Sequence, residues 1–273
     1  MIAQLTSKDN SLLKRIRLVA SQARRAPEDL VLAEGIRSIE EAAGANRRIE
    51  AVLFMERFGS SERESALLRT LSERRINLYR ISERLMESVS DVQTPQGVLA
   101  LVRVPLVCLK DWTPVRRPLI LCACGLQDPG NLGTLIRSAA AAGVSLVCLT
   151  PGTVSPRIPK VIRASAGAFF RLPVIERVDF LEFLVYCHEH SITPYLADAH
   201  AGKLYSEVDY TRGAALLLGN EARGLENVAC ADVQGIHIPM APGVESLNVG
   251  IAGALVLFEA FRQRTAAGQF LAD

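Results

Sequence analysis

The chain has 273 residues, of which 49% are hydrophobic, and a formal net charge of +2. This length accommodates two modest domains or one large one, and the near-neutral charge does not by itself indicate a nucleic-acid-binding protein. The longest charge-free runs contain prolines and glycines, and the first residues do not resemble an export signal. We therefore expect a soluble cytoplasmic protein that has no membrane partner.

The cysteines and histidines indicate neither disulfides nor a metal centre. No two cysteines have CxxC spacing, and most of them occur in apolar, strand-like segments, which favours buried reduced thiols. The histidines lack ligand spacing relative to the cysteines, so we expect no metal. The residues concerned are Cys108, Cys122, Cys124, Cys148, Cys187, Cys230, His188, His190, His200 and His237.

Residues 1–105 alternate between helical and strand-like patterns, with a turn signal at Thr94-Pro95-Gln96-Gly97. This alternation predicts a compact α/β domain of its own. The predicted helices are 11–22, 35–43, 61–71 and 82–88, and the predicted strands are 30–33, 49–54, 77–81 and 98–104.

Residues 106–118 contain prolines and an arginine pair, which predicts a linker, and the alternation then resumes to predict a second domain over 119–273. Continuous apolar strands in this domain indicate burial on both faces, as in a parallel sheet covered by helices. Ligand sites in such sheets lie at the carboxyl ends of the strands. The predicted strands are 119–124, 145–149, 172–175, 193–196 and 214–218, and the predicted internal helices are 132–142, 159–168 and 178–190.

The C-terminal part combines a shaped loop with an apolar helix. Two prolines and a glycine give the loop at 238–244 rigid turns and exposed backbone amides. We expect a helix over 245–264, with Ser246 as its cap, and its apolar residues on all sides favour burial in a core or a subunit interface. Glycine destabilises a helix interior by about 1 kcal/mol relative to alanine, so another element should approach the backbone at Gly250 and Gly253.

Polar clusters follow two of the predicted strands. In the first cluster a turn at 129–130 precedes Asn131, which could cap the next helix, and Arg137 lies about two turns further on. In the second cluster Gly219 allows close backbone approach, and Glu221 places a carboxylate just beyond it. The chain lacks GxGxxG, GxxxxGK[ST] and GxSxG, so nicotinamide enzymes, P-loop hydrolases and serine hydrolases are poor fits.

A basic run near the N-terminus holds five cations and no acid within twelve residues. Two interpretations of this run remain open, a patch that contacts phosphates and a solvated helix face. The cations are Lys14, Arg15, Arg17, Arg24 and Arg25.

Several short segments occur in an order that resembles one protein family. They are 32–35, 94–97, 131–143, 165–168 with Arg171 and Pro173, 218–224 and 238–255. Together they resemble the SpoU/TrmH family of RNA ribose 2′-O-methyltransferases, within the knotted SPOUT superfamily. The two N-terminal segments are similar to the RNA substrate-binding domain of the ribosomal RNA members, which resembles a ribosomal protein.

The resemblance implies an α/β protein with a C-terminal knotted (trefoil) SPOUT domain, which has a mainly parallel sheet, and a smaller N-terminal ribosomal-protein-like domain. It also implies a homodimer through the C-terminal domain, with residues of both subunits near the site. The implied cofactor is S-adenosylmethionine, held largely by the backbone of two loops. Its implied contacts are Leu218, Gly219, Asn220, Ile238, Met240, Ser246, Leu247 and Val249.

The implied reaction joins an activated methyl group to a ribose 2′-hydroxyl, which requires alignment of the oxygen and management of its proton. The resemblance points to Arg137, but a protonated guanidinium has no acceptor lone pair. Arg137 therefore either orients the hydroxyl and the adjacent phosphate or is deprotonated in an unusual pocket, and the first alternative costs less. The resemblance assigns the placing of substrate and Arg137 to Asn131, Glu221, Ser246 and Asn248.

Since DNA lacks the 2′-hydroxyl, the implied acceptor is RNA, and the N-terminal domain favours large-subunit ribosomal RNA. Two alternatives remain open. One is a transfer-RNA 2′-O-methyltransferase, because the catalytic motifs do not distinguish RNA classes. The other is a non-catalytic RNA-binding protein of the same fold.

Overall fold

The computed structural model describes residues 2–92, 94–219 and 233–269. The chain divides into two compact units, Met1–Leu106 with Arg157–Arg171, and Val107–Pro156 with Leu172–Asp273. In the described residues, no helix is both long enough and apolar enough to cross a membrane.

The first part of the chain forms five strands and four helices within its described residues. In chain order they are β1 (Ile2–Leu5), α1 (Ser11–Ala20), β2 (Leu30–Glu34), α2 (Ile36–Gly44), β3 (Arg48–Met55), α3 (Glu62–Glu73), β4 (Leu78–Ile81), α4 (Glu83–Glu87) and β5 (Val98–Arg103).

The remainder forms seven strands and four α-helices within its described residues. In chain order they are β6 (Leu119–Cys124), α5 (Pro129–Ala141), β7 (Leu146–Leu149), α6 (Pro159–Ala164), β8 (Val174–Ile175), α7 (Phe180–Glu189), β9 (Thr193–Ala197), β10 (Lys203–Leu204), β11 (Ala214–Gly219), β12 (Gln234–His237) and α8 (Val249–Ala266).

The first unit contains a mixed five-stranded sheet in the order β1-β4-β3-β5-β2. Strands β1, β4 and β3 are parallel, whereas β5 runs antiparallel to both β3 and β2. Helix α1 buries Leu13, Ile16 and Val19, which follow one another at the three-residue spacing of one helix face, in a core shared with β2, β3 and β5. The predicted α/β character of this part is therefore confirmed.

The second unit contains a parallel seven-stranded sheet in the order β10-β12-β9-β11-β6-β7-β8. Its central strands β6 and β11 are almost entirely buried, which confirms the parallel sheet predicted from continuous apolar runs. Because all its strands are parallel, their carboxyl ends lie at one edge, where the loops after β6, β9 and β12 meet.

Two predicted helix caps are wrong. Helix α5 begins at Pro129, and its cap is Asp128, whose Oδ1 accepts the backbone N–H of Asn131 at 2.7 Å. Helix α8 begins at Val249, and its cap is Asn248 in place of Ser246. Both caps satisfy backbone N–H groups in the first turn of their helix, which would otherwise have no partner.

Residues Arg157–Arg171 belong to the first unit, although the sequence places them within the predicted second domain. Their polar groups bind that unit: Arg163 pairs with both Glu34 and Asp91, and Arg171 pairs with Glu41. The predicted 119–273 domain is therefore interrupted in the structure by residues 157–171, whose arginines pair with carboxylates of the first unit.

The segment at 106–118, predicted to be a linker, is also packed against the protein. Leu109 is buried with the core of the second unit, and the hydroxyl of Tyr186 donates to the carbonyl of Trp112 at 2.9 Å. This segment therefore packs on the second unit from residue 107 onwards.

Close approach at the glycines of α8 is confirmed. A Cβ atom on Gly253 would lie 2.4 Å from Leu135 Cδ2 and 2.5 Å from Leu218 Cδ1, far inside van der Waals contact. At Gly250 the added atom would lie 3.4 Å from Thr134 Cγ2. Helix α8 therefore packs with its backbone directly against α5 and β11.

Overpacking in Gly253→Ala should lower the free energy of unfolding by about 1–3 kcal/mol, because the buried Leu135 and Leu218 have to shift. Since the better helix propensity of alanine returns about 1 kcal/mol, the expected net loss is up to about 2 kcal/mol. Urea denaturation measures the difference. Gly44→Ala is the matched control, since no atom lies within 4 Å of its added Cβ. Equal stability of the two variants would contradict the proposed packing.

Candidate cofactor and catalytic site

A cavity of about 380 Å³ lies at the carboxyl edge of the parallel sheet in the second unit. It is formed by the loop after β6, the ends of β9, β11 and β12, the loop at 238–247 and the first turn of α8. Its lining residues are Gly125, Leu126, Gln127, Asp128, Asn131, Ala197, Asp198, Ala199, Leu218, Gly219, Ile236, Ile238, Met240, Ser246, Leu247, Val249 and Ala252.

The structure brings together the described residues that the resemblance assigned to the cofactor. Leu218 and Gly219 reach the cavity from the end of β11, and the 238–249 segment contributes the others. Those others are Ile238, Met240, Ser246, Leu247 and Val249. Asn220 lies outside the described residues. The cofactor role of these residues stays a prediction, but their convergence on one cavity is a property of the fold.

The predicted catalytic residues are not all in this cavity. Asn131 and Ser246 line it, and Asn248 contacts Asn131 from the cap of α8. Glu221 lies outside the described residues. Arg137 is exposed on α5 and does not line the cavity.

The position of Arg137 follows from helix geometry. Six residues along α5 place it about 9 Å from Asn131 along the axis and about 120° around it. The buried face of α5 carries Leu132, Leu135 and Ile136, which turns Arg137 to the surface. Arg137 makes no hydrogen bond or ion pair with any residue that the structure describes. Within one protomer, its guanidinium is therefore separate from the cavity.

A hydrogen bond between the side chains of Asn131 and Asn248 determines which groups of Asn131 are free to contact a ligand. Asn248 Oδ1 accepts from the backbone N–H groups of Gly250 at 2.9 Å and Ile251 at 3.3 Å. Its Nδ2 donates to Asn131 Oδ1 at 3.0 Å. Asn131 therefore offers a ligand its unengaged amide nitrogen as a donor and the second lone pair of its oxygen as an acceptor. An amide is too weak a base to take the proton of the substrate.

The sequence interpretation missed the contribution of β9. Ala197, Asp198 and Ala199 line the cavity, and Asp198 Oδ1 also accepts the backbone N–H of His200 at 2.9 Å. A signal for this was present, since Asp198 lies two residues after the predicted strand 193–196 and so belongs at the same sheet edge as Gly219.

The cysteine thiols near this sheet are poor nucleophiles. Burial raises the pKa of Cys187 to about 12 and also raises the pKa of Cys148, so both thiols stay protonated at neutral pH. Of the described cysteines, Cys122, Cys148 and Cys187 are buried, as expected for strand-like segments, whereas Cys124 is partly buried and Cys108 is exposed. Cys230 lies outside the described residues.

The basic run of the first unit is only partly free to bind phosphates. Lys14 pairs with Asp9 at 3.5 Å, Arg15 pairs with Glu50 at 2.8 Å, and Arg17 donates to the carbonyl of Lys8 and to Ser88. Arg24 and Arg25 follow the end of α1, are exposed, and have no partner among residues 2–92, 94–219 and 233–269. These two are therefore the stronger candidates for phosphate contacts.

Comparison with known protein families finds a match for each of the two parts of the chain. The family model described as the SpoU rRNA methylase family matches residues 118–258, and that of the MRM3-like substrate-binding domain matches residues 10–100. The two matches occur in the order in which the two sheets occur along the chain.

Full-length relatives share both parts. The chain is 32% identical to an uncharacterised tRNA/rRNA methyltransferase of Synechocystis sp., covering 97% of this chain and 96% of the relative. It is 28% identical to the 23S rRNA (guanosine(2553)-2′-O)-methyltransferase RlmP of Bacillus subtilis, covering 93% and 98%. The SpoU methyltransferase AviRb of Streptomyces viridochromogenes, solved in complex with AdoMet, is 25% identical, with a TM-score of 0.79 and coverage of 94% and 99%. The chain therefore belongs to the SpoU rRNA methylase family.

Proposed function

We propose that this protein transfers the methyl group of S-adenosylmethionine to the 2′-hydroxyl of a ribose in large-subunit ribosomal RNA. The observation that carries the proposal is the single cavity at which the ends of β9, β11 and β12 meet the Asn131–Asn248 pair. The activity of the Bacillus subtilis relative supports the choice of ribosomal over transfer RNA.

The cavity fits the cofactor. Its volume of about 380 Å³ falls within the range of small-ligand sites, which is roughly 300–1,000 Å³. Apolar side chains such as Leu218, Ile238 and Leu247 can enclose the adenine, and Gly125 and Gly219 leave backbone accessible. Asp198 offers a carboxylate to ribose hydroxyls or to the ammonium group. When bound, the cofactor supplies a methyl group already activated by its sulfonium.

The protein has to align the acceptor oxygen. Asn131 donates through its amide nitrogen, so we assign it to orienting an oxygen of the substrate or cofactor. The guanidinium of Arg137 only donates, and we assign it to positioning the 2′-hydroxyl and the adjacent phosphate. Ser246 lines the same cavity and belongs with Asn131 in this placing role.

We propose that a second copy of the chain supplies Arg137. An exposed apolar stripe runs from Leu247, just before α8, along the first half of that helix. It begins at the cavity, since Leu247 also lines the cavity. A surface of this kind is typical of subunit interfaces. The stripe consists of Leu247, Ile251, Leu255 and Phe258, with exposed fractions of 36%, 51%, 41% and 47%. A homodimer that covers this stripe brings a second α5, with its exposed Arg137, to the same region.

We assign RNA selection to the first unit, as a ribosomal-protein-like domain, with Arg24 and Arg25 as phosphate contacts. We also propose a trefoil knot at the C-terminal end. Strand order supports it, since the chain passes from β11 beyond β9 to reach β12 before α8 packs on α5. An experimental structure of the whole second unit tests the knot. We also propose a cytoplasmic location, as for the Bacillus subtilis relative that methylates 23S rRNA.

The trans position of Arg137 predicts complementation between two inactive variants. Arg137→Ala and Asn131→Ala should each lower methyl transfer at least a hundredfold, because each removes a group that positions the reacting oxygen. A heterodimer of the two, purified with two different tags, should regain about half of the wild-type rate, since one of its two sites is complete.

The control heterodimer pairs Arg137→Ala with an Asn131→Ala/Arg137→Ala chain and should stay inactive. Cofactor affinity of Arg137→Ala should equal that of the wild type. A first heterodimer as inactive as the control would show that Arg137 acts in its own protomer or not at all.

The apolar stripe predicts the oligomeric state. Ile251→Ser/Phe258→Ser should raise the dimer dissociation constant at least a hundredfold, because four large side chains per dimer each lose about 1.5 kcal/mol of burial. Sedimentation velocity over a concentration series measures this. Leu181→Ser/Val185→Ser on α7 is the matched control, with exposed fractions of 60% and 57%. Equal behaviour of the two double variants would remove the stripe as the interface.

The basic run predicts a graded response to charge removal. Arg24→Gln/Arg25→Gln should weaken RNA binding and reduce the slope of log affinity against log salt by about 1.4–1.8 for two phosphate contacts. Lys14→Gln should have a smaller effect, because Lys14 already pairs with Asp9. Filter binding at several salt concentrations distinguishes them. An unchanged slope for the arginine pair would contradict the assignment.

A further inference from the structure

A second cavity, of about 500 Å³, lies at the opposite edge of the same parallel sheet. It sits where β6 begins and where α5 and α8 end, so the length of β6 separates it from the first cavity. None of the described residues that line it carries a carboxylate. The lining residues are Val115, Arg116, Arg117, Leu119, Gly143, Ser145, Arg264, Ala267, Gly268 and Gln269.

Arg264 forms the floor of this cavity and is only 4% exposed. All of its bonds go to neutral backbone carbonyls: Nε donates to Tyr210, Nη1 to Arg117, and Nη2 to Pro118 and Arg212, at 2.7–3.1 Å. These bonds use four of the five guanidinium N–H groups and leave one on Nη1. The buried charge therefore has no carboxylate bound to it among the described residues.

The charge of Arg264 persists at neutral pH. Burial, and then the nearby charge of Arg117, lower its pKa to about 10, which still leaves the guanidinium protonated at pH 7. A buried cation without a bound counter-ion is costly, and an anion in the cavity would offset this cost.

Two further arginines stand at the rim with exposed side chains, Arg116 and Arg117. Asp209, whose charge acts on both Arg264 and Arg117, is already engaged by Thr211 and by Arg212, the latter at 3.5 Å. Three guanidinium groups therefore converge on a space that no described acid lines. Planar guanidinium groups match the geometry of phosphate oxygens, to which they bind in a bidentate manner.

From this geometry we infer that the cavity at Arg116, Arg117 and Arg264 is a phosphate-binding site, separate from the methyl-transfer cavity. Six residues of β6 place the two sites about 20 Å apart. The phosphate therefore belongs either to a part of the RNA remote from the reacting ribose or to a free phosphate compound. Only the RNA source rests on the proposed function.

The test removes the two rim charges and leaves Arg264 in place, because Arg264 ties together four backbone carbonyls. The variant is Arg116→Gln/Arg117→Asn, with asparagine chosen because Arg117 has a φ of 54°. The matched control is Lys110→Gln/Arg177→Asn, which removes two exposed charges of the same unit, one of them at a φ of 57°.

If RNA supplies the phosphate, the rim variant should bind ribosomal RNA at least tenfold more weakly at 150 mM salt. Its salt slope should fall by about 1.4–1.8, as expected for two lost phosphate contacts. The control should retain the wild-type slope, and both variants should keep the wild-type affinity for S-adenosylmethionine. That last measurement separates failure of this site from failure of the methyl-transfer site.

If a free phosphate compound is the ligand, RNA binding should be unchanged, and millimolar pyrophosphate should raise the melting temperature of the wild type and the control but not of the rim variant. The inference is overturned if the rim variant matches the wild type in both RNA binding and pyrophosphate response. It is equally overturned if the rim variant and the control lose RNA affinity to the same extent, because the effect would then be one of net charge.

Discussion

The close packing of α8 on α5 and β11 is the constraint on which the candidate site depends. At Gly253 there is no room for even a methyl group between the helix backbone and the side chains of Leu135 and Leu218. This contact sets how closely α8 packs on α5. It thereby places Asn248, at the N-terminal end of α8, with its Nδ2 3.0 Å from Asn131 Oδ1. The absence of a side chain at Gly253 thus allows the packing that positions both the cap of α8 and the polar wall of the cavity.

The same arrangement explains why Arg137 does not line the cavity of its own chain. The face of α5 that packs in the core and the face that carries Arg137 are different, so the helix cannot bury Leu135 and also turn Arg137 into its own cavity. The exposed stripe on α8 and the exposed guanidinium on α5 thus both follow from the way in which α5 and α8 pack on each other. In the homodimer that we propose, a second copy of the chain would cover the stripe and bring its own Arg137 to the cavity.

Much of this architecture could be predicted from the sequence, because long apolar runs such as β6 and β11 specify buried parallel strands. Strands β1, β10 and β12 were missed, since they are short and depend on neighbours for their hydrogen bonds. The caps Asp128 and Asn248 were missed because several residues near each helix start can cap it. The attachment of Arg163 to Glu34 and Asp91 depends on contacts far apart in sequence, which no local pattern carries.

The most direct test of the account is transfer of labelled methyl from S-adenosylmethionine to total cellular RNA, followed by mapping of the labelled riboses. The account predicts label at a 2′-oxygen in large-subunit ribosomal RNA. Label in transfer RNA would contradict the assigned substrate but keep the chemistry. Cofactor binding without transfer to any RNA would contradict the central claim and indicate an RNA-binding protein of the same fold.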